Sequence, residues 1–243
     1  MNTKVIIVCW LVCASSPVFA TTWAETKIKD PIDGKQCAVQ TPMSSGSYIY
    51  QWPEKYDQIF WPLTDPNGVW ACPASGFATF IGDEGLSAEE KAAISAFLKD
   101  APPLPKDATS KIVLDRLRSI YSLRKPDPTK KIGILRALAY QYQSIGMQDI
   151  ANALRAQAAE AMEERLADEK LDPALRLQYL FVTANYAREF GRADESDRKL
   201  EQLTDLFIDA ASDEKLKDYA EYLQALVESA RKIAPGGVLA PAE

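Results

Sequence analysis

Two cysteines, Cys37 and Cys72, have the most evident chemistry in this chain. Cys72 begins CPASG (72–76), which has the pattern of a zinc knuckle, Cys-Pro-x-Cys-Gly, with a hydroxyl in place of the second thiol. The run CAVQ (37–40) lacks its second thiol in the same way. Structural zinc requires four thiolate or imidazole ligands in a tetrahedron. Because each knuckle keeps one thiol and the chain contains no histidine, the sequence predicts neither a metal site nor a cofactor.

The first twenty residues have the composition of a secretory signal peptide. Lys4 precedes an apolar run (5–12), and small residues precede a cleavage site after Ala20, with Ala24 as the second choice. An uncleaved membrane anchor is the alternative, but the run is shorter than the roughly 20 residues that span a bilayer. No later segment is apolar enough either. We therefore expect a soluble periplasmic or secreted protein with no integral membrane association.

Removal of residues 1–20 would leave Cys37 and Cys72 as the one pair of thiols. In an oxidising compartment such a pair usually forms a disulfide. A loop of this length would give roughly 3–4 kcal/mol of stabilisation from chain entropy. Free thiols and redox or metal chemistry are the alternatives, although catalytic thiols favour Cys-x-x-Cys at the start of a helix.

The charge and composition exclude several classes of partner. The formal net charge is -6, and no cluster of lysine and arginine provides the positive surface that nucleic acids or anionic lipids require. Apolar residues make up 47% of the chain, which is enough for a packed core. The expected partner is therefore a protein or peptide, whose identity the sequence leaves open together with the oligomeric state.

The chain divides into two parts of different character. Aromatic residues, prolines and glycines crowd residues 48–80, where short strands (47–51 and 69–71) and a turn (65–68) are expected. Helical patterns begin after Leu86, with a capping box at Ser87 and Glu90. The predicted fold is mainly α, with tetratricopeptide-like helical hairpins and a small aromatic-rich, loop/β N-terminal unit. The predicted segments are a signal peptide (1–20), the N-terminal unit resembling a degenerate zinc ribbon (21–85), the helical domain (86–233) and a flexible tail (234–243).

Two helix–turn–helix units of similar length, with turns at Gly146 and Gly191, suggest a repeat. The first fits the tetratricopeptide pattern, with small residues such as Ala151 and Ala158 where helices approach closely. Arg155 departs from the pattern, which expects a bulky apolar residue there. An ordinary helical bundle with glycine turns is the alternative.

If the hairpins stack, one stripe of each first helix lines a concave face. These stripes contain polar and aromatic residues at three- and four-residue spacing. They could hold a peptide, or they could form a solvated helix face. The candidate partner-binding residues are Arg136, Tyr140, Gln143, Gln178, Asn185 and Arg188.

Four runs of the chain resemble a bacterial family of uncharacterised exported proteins. They are CAVQ (37–40), YDQIFWP (56–62), VWACPASGF (69–77) and KIGILRALA (131–139). Members of that family look like a zinc-ribbon-like segment with paired knuckles, followed by tetratricopeptide-like helices. Gln40 and Ser75 stand where the knuckle pattern has cysteine. The resemblance implies an architecture and carries no activity.

The chain lacks the residues of the common catalytic sites. Without histidine, Ser-His-Asp and Cys-His mechanisms are excluded, and no Gly-rich loop follows a strand to bind a nucleotide. A carboxylate pair acting on glycans, drawn from Glu54, Asp57 and Asp65, is the remaining enzymatic option, with surface acids as the alternative. We expect no enzyme but a protein-binding scaffold or adaptor. The alternative function is a glycan- or peptidoglycan-binding module in segment 48–80, with Trp52, Trp61 and Trp70 as candidate stacking residues, although core packing is the commoner role of such rings.

Overall fold

The computed structural model describes residues 22–44, 50–105, 107–236 and 239–240. The fold is mainly α with a small N-terminal part that contains strands, which confirms the predicted fold class. The predicted signal peptide, with its cleavage site after Ala20, lies outside the described residues. In the described part of the chain, no helix is both long and apolar enough to cross a membrane.

The N-terminal part consists of two β-hairpins with a short helix between them. Strands β1 and β2 pair antiparallel, with Ile28 opposite Cys37, and β3 and β4 pair antiparallel, with Cys72 opposite Phe77. The β3 strand agrees with the strand predicted at 69–71. Of the other predicted strand, residues 47–49 lie outside the described ranges, and Tyr50 and Gln51 are not in a strand. In chain order the elements are β1 (Thr22–Lys29), β2 (Gln36–Ser44), α1 (Glu54–Asp57), β3 (Val69–Cys72) and β4 (Phe77–Phe80).

A disulfide bond joins the two hairpins. It links Cys37 in β2 to Cys72 in β3, with the two Cα atoms 5.6 Å apart. Both cysteines are buried in a cluster of apolar side chains. The predicted disulfide is therefore confirmed.

The two positions that lack a second knuckle thiol also contribute contacts between the hairpins. The Ser75 hydroxyl donates to the buried carboxylate of Asp30 over 2.5 Å and accepts from the Phe77 amide. The main-chain oxygen of Gln40 accepts a hydrogen bond of 2.7 Å from the indole nitrogen of Trp70. Hydrogen bonds and one disulfide thus hold the two hairpins together.

Longer helices make up the rest of the described chain, and local sequence signals set where several of them begin. The predicted capping box is present, because Ser87 and Glu90 each accept a hydrogen bond from the other's main-chain amide. Asp127 and Asp172 cap the helices that follow them, each with proline at the first helical position. The helices are α2 (Ala88–Asp100), α3 (Ser110–Ser122), α4 (Pro128–Ser144), α5 (Gln148–Leu166), α6 (Pro173–Glu189), α7 (Ala193–Ala210) and α8 (Lys217–Ala230).

The helices pair as α4 with α5 and α6 with α7, α5 packs against α6, and α8 packs against α6 and α7. Gly146 and Gly191 adopt φ of +78° and +77° at the two turns, a left-handed conformation that favours glycine. Ala151 and Ala158 are fully buried where α5 packs. The predicted helical hairpins are therefore present, while their assignment to the tetratricopeptide class stays a prediction.

The N-terminal part packs directly on the helices. One apolar cluster surrounds the disulfide and continues through α2 and α3 to α4 and α5, and a second lies among α5 to α8 and includes Tyr56 of α1. The core therefore crosses the predicted boundary at residue 85.

The tail also contributes to this packing, in contrast to the predicted flexible segment 234–243. The Gly236 amide donates to the main-chain oxygen of Glu189, and Leu239 is fully buried in the second cluster. Apolar burial of Leu239 accounts for the difference, because it removes a large side chain from water. Residues 237–238 and 241–243 lie outside the described residues.

Candidate functional site

The helical stripe expected to bind a peptide contacts a segment of this same chain. The short helix α1 lies against α4 and α6. Nε of Arg136 donates to the main-chain oxygen of Asp57 over 2.8 Å, and one of its terminal nitrogens donates to that of Gln58 over 2.7 Å. The Asn185 amide donates to the main-chain oxygen of Tyr56 over 3.2 Å. Two side chains of the stripe therefore hold three consecutive carbonyl groups, those of Tyr56 and Asp57 in α1 and of Gln58 directly after it.

The carboxylate of Asp57 enters a fully buried polar cluster. It receives two hydrogen bonds from Arg155, of 3.1 and 2.8 Å, and one of 2.6 Å from the Tyr186 hydroxyl. A second carboxylate, Glu189, lies 3.3 Å from another nitrogen of Arg155. All four of these side chains are 0% exposed. One guanidinium therefore serves two buried carboxylates, and Asp57 has the closer contact.

Burial and charge shift the pKa values of this cluster. Burial alone would lower the pKa of Arg155, but the attraction of Asp57 more than offsets it and the pKa is raised. Burial, with the neighbouring charge of Asp57, raises the pKa of Tyr186. Burial also raises the pKa of Glu189 to about 7, although Arg155 opposes this effect. Arg155 and Tyr186 therefore keep their protons at neutral pH, and Glu189 titrates there.

The signal for this cluster in the sequence is Arg155 itself. It occupies a position on α5 where the repeat pattern has a bulky apolar residue, between the buried Ala151 and Ala158. A buried charge is costly unless it is paired and hydrogen-bonded, so the departure from the pattern indicates a buried polar partner for the guanidinium. The partner, Asp57, lies 98 residues away, and nothing local identifies it.

The six candidate binding residues fall into three groups. Arg136 and Asn185 are 3% and 0% exposed, and Gln178 accepts a 3.0 Å hydrogen bond from Arg136. These three residues therefore surround α1, and the polar groups of Arg136 and Asn185 are neither a solvated face nor an open concave surface. The reason is that α1 covers them.

The remaining three candidates lie beside α1 or face another helix. The Tyr140 hydroxyl is 3.5 Å from Glu54 of α1, and Gln143 is half-buried one turn further along α4. Arg188 forms an ion pair with Asp197 of α7 and therefore does not join the others. Binding of an external partner by these residues stays a prediction.

A cleft of about 430 Å³ continues the stripe beyond α1. Tyr140 and Gln143 lie on its wall, so the open part of the predicted face is this cleft. Pro53, which precedes α1, and Gln148, the first residue of α5, also line the cleft, together with Gly236 of the C-terminal segment. Its lining residues include Pro53, Tyr140, Gln143, Ser144, Gln148 and Gly236.

The three candidate stacking tryptophans do not form one platform. Trp70 is 7% exposed and its indole nitrogen donates to Gln40, so burial removes it from the predicted glycan surface. Trp52 stacks on Tyr56 with ring centroids 4.1 Å apart. Trp61 is half-buried beside Trp23, with ring centroids 5.8 Å apart.

The three acids considered for catalysis are also separated in their roles. Glu54 is 1% exposed, and its carboxylate accepts a hydrogen bond from the main-chain amide of Gln51. Asp65 caps a 3₁₀ turn by accepting from the Asn67 amide, and Asp57 lies in the buried ion pair. The contacts of these acids are therefore structural.

Comparisons of the chain with known protein families, with characterised proteins and with solved structures find no match. The resemblance to exported proteins with zinc-ribbon-like and tetratricopeptide-like segments therefore stays a prediction. At the site itself, the segment α1 held by α4 and α6, the buried ion pair of Asp57 with Arg155, and the open cleft adjoin one another.

Proposed function

We propose that this chain is an exported, non-catalytic scaffold that binds a protein partner on the surface where α4 and α6 meet the N-terminal part. The Cys37–Cys72 disulfide supports the proposed location, because disulfides persist in oxidising compartments. The acidic composition supports a protein partner over a nucleic acid.

The observation that carries the proposal is the cleft beside α1. Arg136 and Asn185 already hold a peptide segment by its main-chain carbonyls, a mode of contact that requires no particular side chain in the segment. The cleft continues that surface and has Tyr140 and Gln143 on its wall. A segment of a partner placed there would extend the row of contacts that begins with α1.

Cross-linking followed by affinity capture from envelope extracts tests this proposal. The oxidised mature protein serves as bait. The affinity of each captured partner is then measured for the wild type and for the Tyr140→Ala and Gln143→Ala variants. Each substitution is expected to weaken binding about tenfold or more, as for a central interface residue. Gln202→Ala, at an exposed position of α7, is the matched control and leaves affinity unchanged. Failure to capture a partner, or a partner that binds both cleft variants as tightly, contradicts the proposal.

A second candidate function, glycan binding, has one observation in its favour. Trp23 and Trp61 form a partly exposed pair, and the rings of Tyr50 and Phe60 have centroids 4.3 Å apart. Aromatic faces of this kind can stack on sugar rings. Co-sedimentation with purified peptidoglycan tests it: Trp61→Ala should abolish retention, while Ile208→Ala, an exposed apolar residue elsewhere, should not. Retention of both variants, or of neither, argues against this function.

A further inference from the structure

The buried cluster under the cleft has an excess of negative charge around Glu189. Asp57 and Glu189 share the single guanidinium of Arg155. Two of its nitrogens donate hydrogen bonds to Asp57, and the third donates to Glu189. The other buried arginine, Arg136, directs its donors to main-chain oxygens and to an amide. A buried carboxylate is costly unless it is paired and hydrogen-bonded. Glu189 therefore lacks the neutralisation that Asp57 has.

Three buried oxygen atoms in this region have no hydrogen-bond donor among the described residues. They are Oε2 of Glu189, Oδ1 of Asn185 and Oε1 of Gln143. Glu189 and Asn185 are both 0% exposed and lie one turn apart on α6. Most buried polar atoms in proteins are hydrogen-bonded, and all three of these atoms are acceptors. A ligand that donates hydrogen bonds would therefore satisfy them.

The cleft adjoins this region through Gln143 and Gln148 on its wall. Gln148, on its wall, donates from its amide to Glu189 over 3.3 Å and to Asn152 over 2.8 Å. Gly236, also on the wall, donates to the main-chain oxygen of Glu189. Because Glu189 is 0% exposed, a ligand in the cleft reaches its carboxylate by displacing the Gln148 amide. The cleft volume of about 430 Å³ accommodates a short alkyl chain.

We infer that the cleft binds a primary alkylammonium group, whose N–H donors reach Oε2 of Glu189 and Oε1 of Gln143. An ammonium group has three donors and no acceptor, and it carries the one positive charge that Glu189 lacks. The ring of Tyr140 and the side chain of Pro53 provide the adjoining wall for the alkyl chain. A free amine and a lysine side chain share this chemistry. The inference therefore goes beyond the proposed function and does not depend on a protein partner.

Binding is coupled to the protonation of Glu189. The charges that act on it are those of Arg155 on α5 and Asp57 of α1, and Tyr186 of its own helix contacts the same Asp57 carboxylate. Burial raises the pKa of Glu189 to about 7, so the ammonium ion and a proton compete for the same carboxylate. Affinity should fall about tenfold between pH 8 and pH 6, with release of nearly one proton on binding at pH 6.

Calorimetric titration of the oxidised mature protein with n-butylammonium chloride tests the inference. We expect saturable binding at one site, and 1-butanol, which has the same chain and no charge, should not bind. Repeating the titration at pH 6 in buffers of different ionisation enthalpy measures the released proton. A blocked lysine peptide and its Nε-acetylated form distinguish the source: clearly tighter binding of the lysine peptide than of butylammonium indicates a protein lysine, and equal binding indicates a free amine.

Variants separate this site from a non-specific one. Glu189→Gln should lose at least about tenfold in affinity at pH 8 and should lose the pH dependence. Gln143→Met, which keeps the size and removes the acceptor, should lose several-fold. Glu201→Gln, an exposed acid of α7, is the matched control and should bind as the wild type does.

Three results would overturn the inference: no saturation with either amine, equal affinity of Glu189→Gln, or binding of 1-butanol as tight as that of butylammonium. The first would show that water is the only donor to these oxygens. Failure to capture a protein partner would refute the proposed scaffold without affecting this measurement, so the two outcomes are distinguishable. Thermal unfolding of each variant establishes that it is folded before its affinity is compared.

Discussion

Replacement of Arg155 by leucine, the type of residue that the repeat pattern expects there, tests the importance of the buried ion pair. The substitution leaves Asp57 with the Tyr186 hydroxyl and removes the guanidinium that contacts Glu189. Breaking a buried ion pair by removal of one partner costs about 3–5 kcal/mol. Against a total stability of about 5–15 kcal/mol for a domain, the variant should fold with much reduced stability.

A double-mutant cycle with Asp57→Asn isolates the pairwise interaction. Asp57→Asn alone should cost about 2–4 kcal/mol, because Arg155 loses a bidentate partner and keeps only Glu189. In the Arg155→Leu background the same change removes an unpaired buried charge. We therefore expect it to be neutral or to restore about 1–2 kcal/mol, which gives a large coupling energy.

The assay is urea unfolding at pH 7 with the disulfide intact, followed by tryptophan fluorescence and analysed by linear extrapolation. Arg198→Leu, at an exposed position of α7, is the matched control and should change stability by no more than about 0.5 kcal/mol. Additive effects of the two substitutions, or a cost below about 1 kcal/mol for Arg155→Leu, would refute the assignment of the ion pair as the main polar link between α1 and the helices.

Three further changes should alter stability in defined ways. Replacing Cys37 and Cys72 by serine should lower the free energy of unfolding by about 3–4 kcal/mol, from the loop of 35 residues that the bond closes; equal urea midpoints would contradict this. Ser75→Ala should cost about 1–3 kcal/mol, because buried Asp30 loses a donor, and an unchanged midpoint would show that this bond contributes nothing. Between pH 4.5 and 7 the folded protein keeps a proton on Glu189 that the unfolded chain has lost, so wild-type stability should fall as pH rises, by about 3 kcal/mol in total. Glu189→Gln should flatten this dependence in urea titrations at pH 5, 6, 7 and 8, and parallel curves for the two proteins would exclude Glu189 as the titrating group.

The features that the sequence predicted correctly depend on residues close together in the chain or on the number of cysteines. Ser87 and Glu90 cap α2 because their main-chain amides are three residues apart, a contact that any helix start can make. The disulfide was predictable because one pair of cysteines lies outside the predicted signal peptide. Gly146 and Gly191 mark the hairpin turns because their left-handed backbone is costly for other residues.

The β1–β2 hairpin was not predicted strand by strand. Its strands mix lysine and threonine with Ile28 and Val39, and both are largely exposed on one side, so alternation in the sequence is weak. The turn at 30–35 depends on Asp30, whose carboxylate accepts from the Ile32 amide, and on Gly34 at φ +74°. Tertiary contacts from the second hairpin complete the burial of Val39, and these contacts have no local signature.

The stripe predicted to bind a partner contacts a segment of this same chain, and binding of an external partner there stays a prediction. Arg136 and Asn185 lie on the predicted stripe and do hold a peptide, but the peptide is α1 of the same chain. Periodicity identifies which residues share a helix face; it cannot identify a partner that lies 79 or 129 residues away. Arg155 was recognisable as a departure from the pattern, and its buried location turns that departure into evidence for an ion pair.

The contacts of α1 also constrain how this protein can change over time. Tyr219 of α8 donates to Gln58 over 3.0 Å, across 161 residues of sequence, and Asp57 is paired with Arg155. A gene fusion or recombination event that exchanged the first 85 residues for an unrelated segment would remove Asp57 and leave the buried guanidinium of Arg155 with the more distant carboxylate of Glu189. Inheritance of the two parts is therefore linked: descendants of this chain can replace Asp57 and Arg155 together, but not one at a time without a loss of stability.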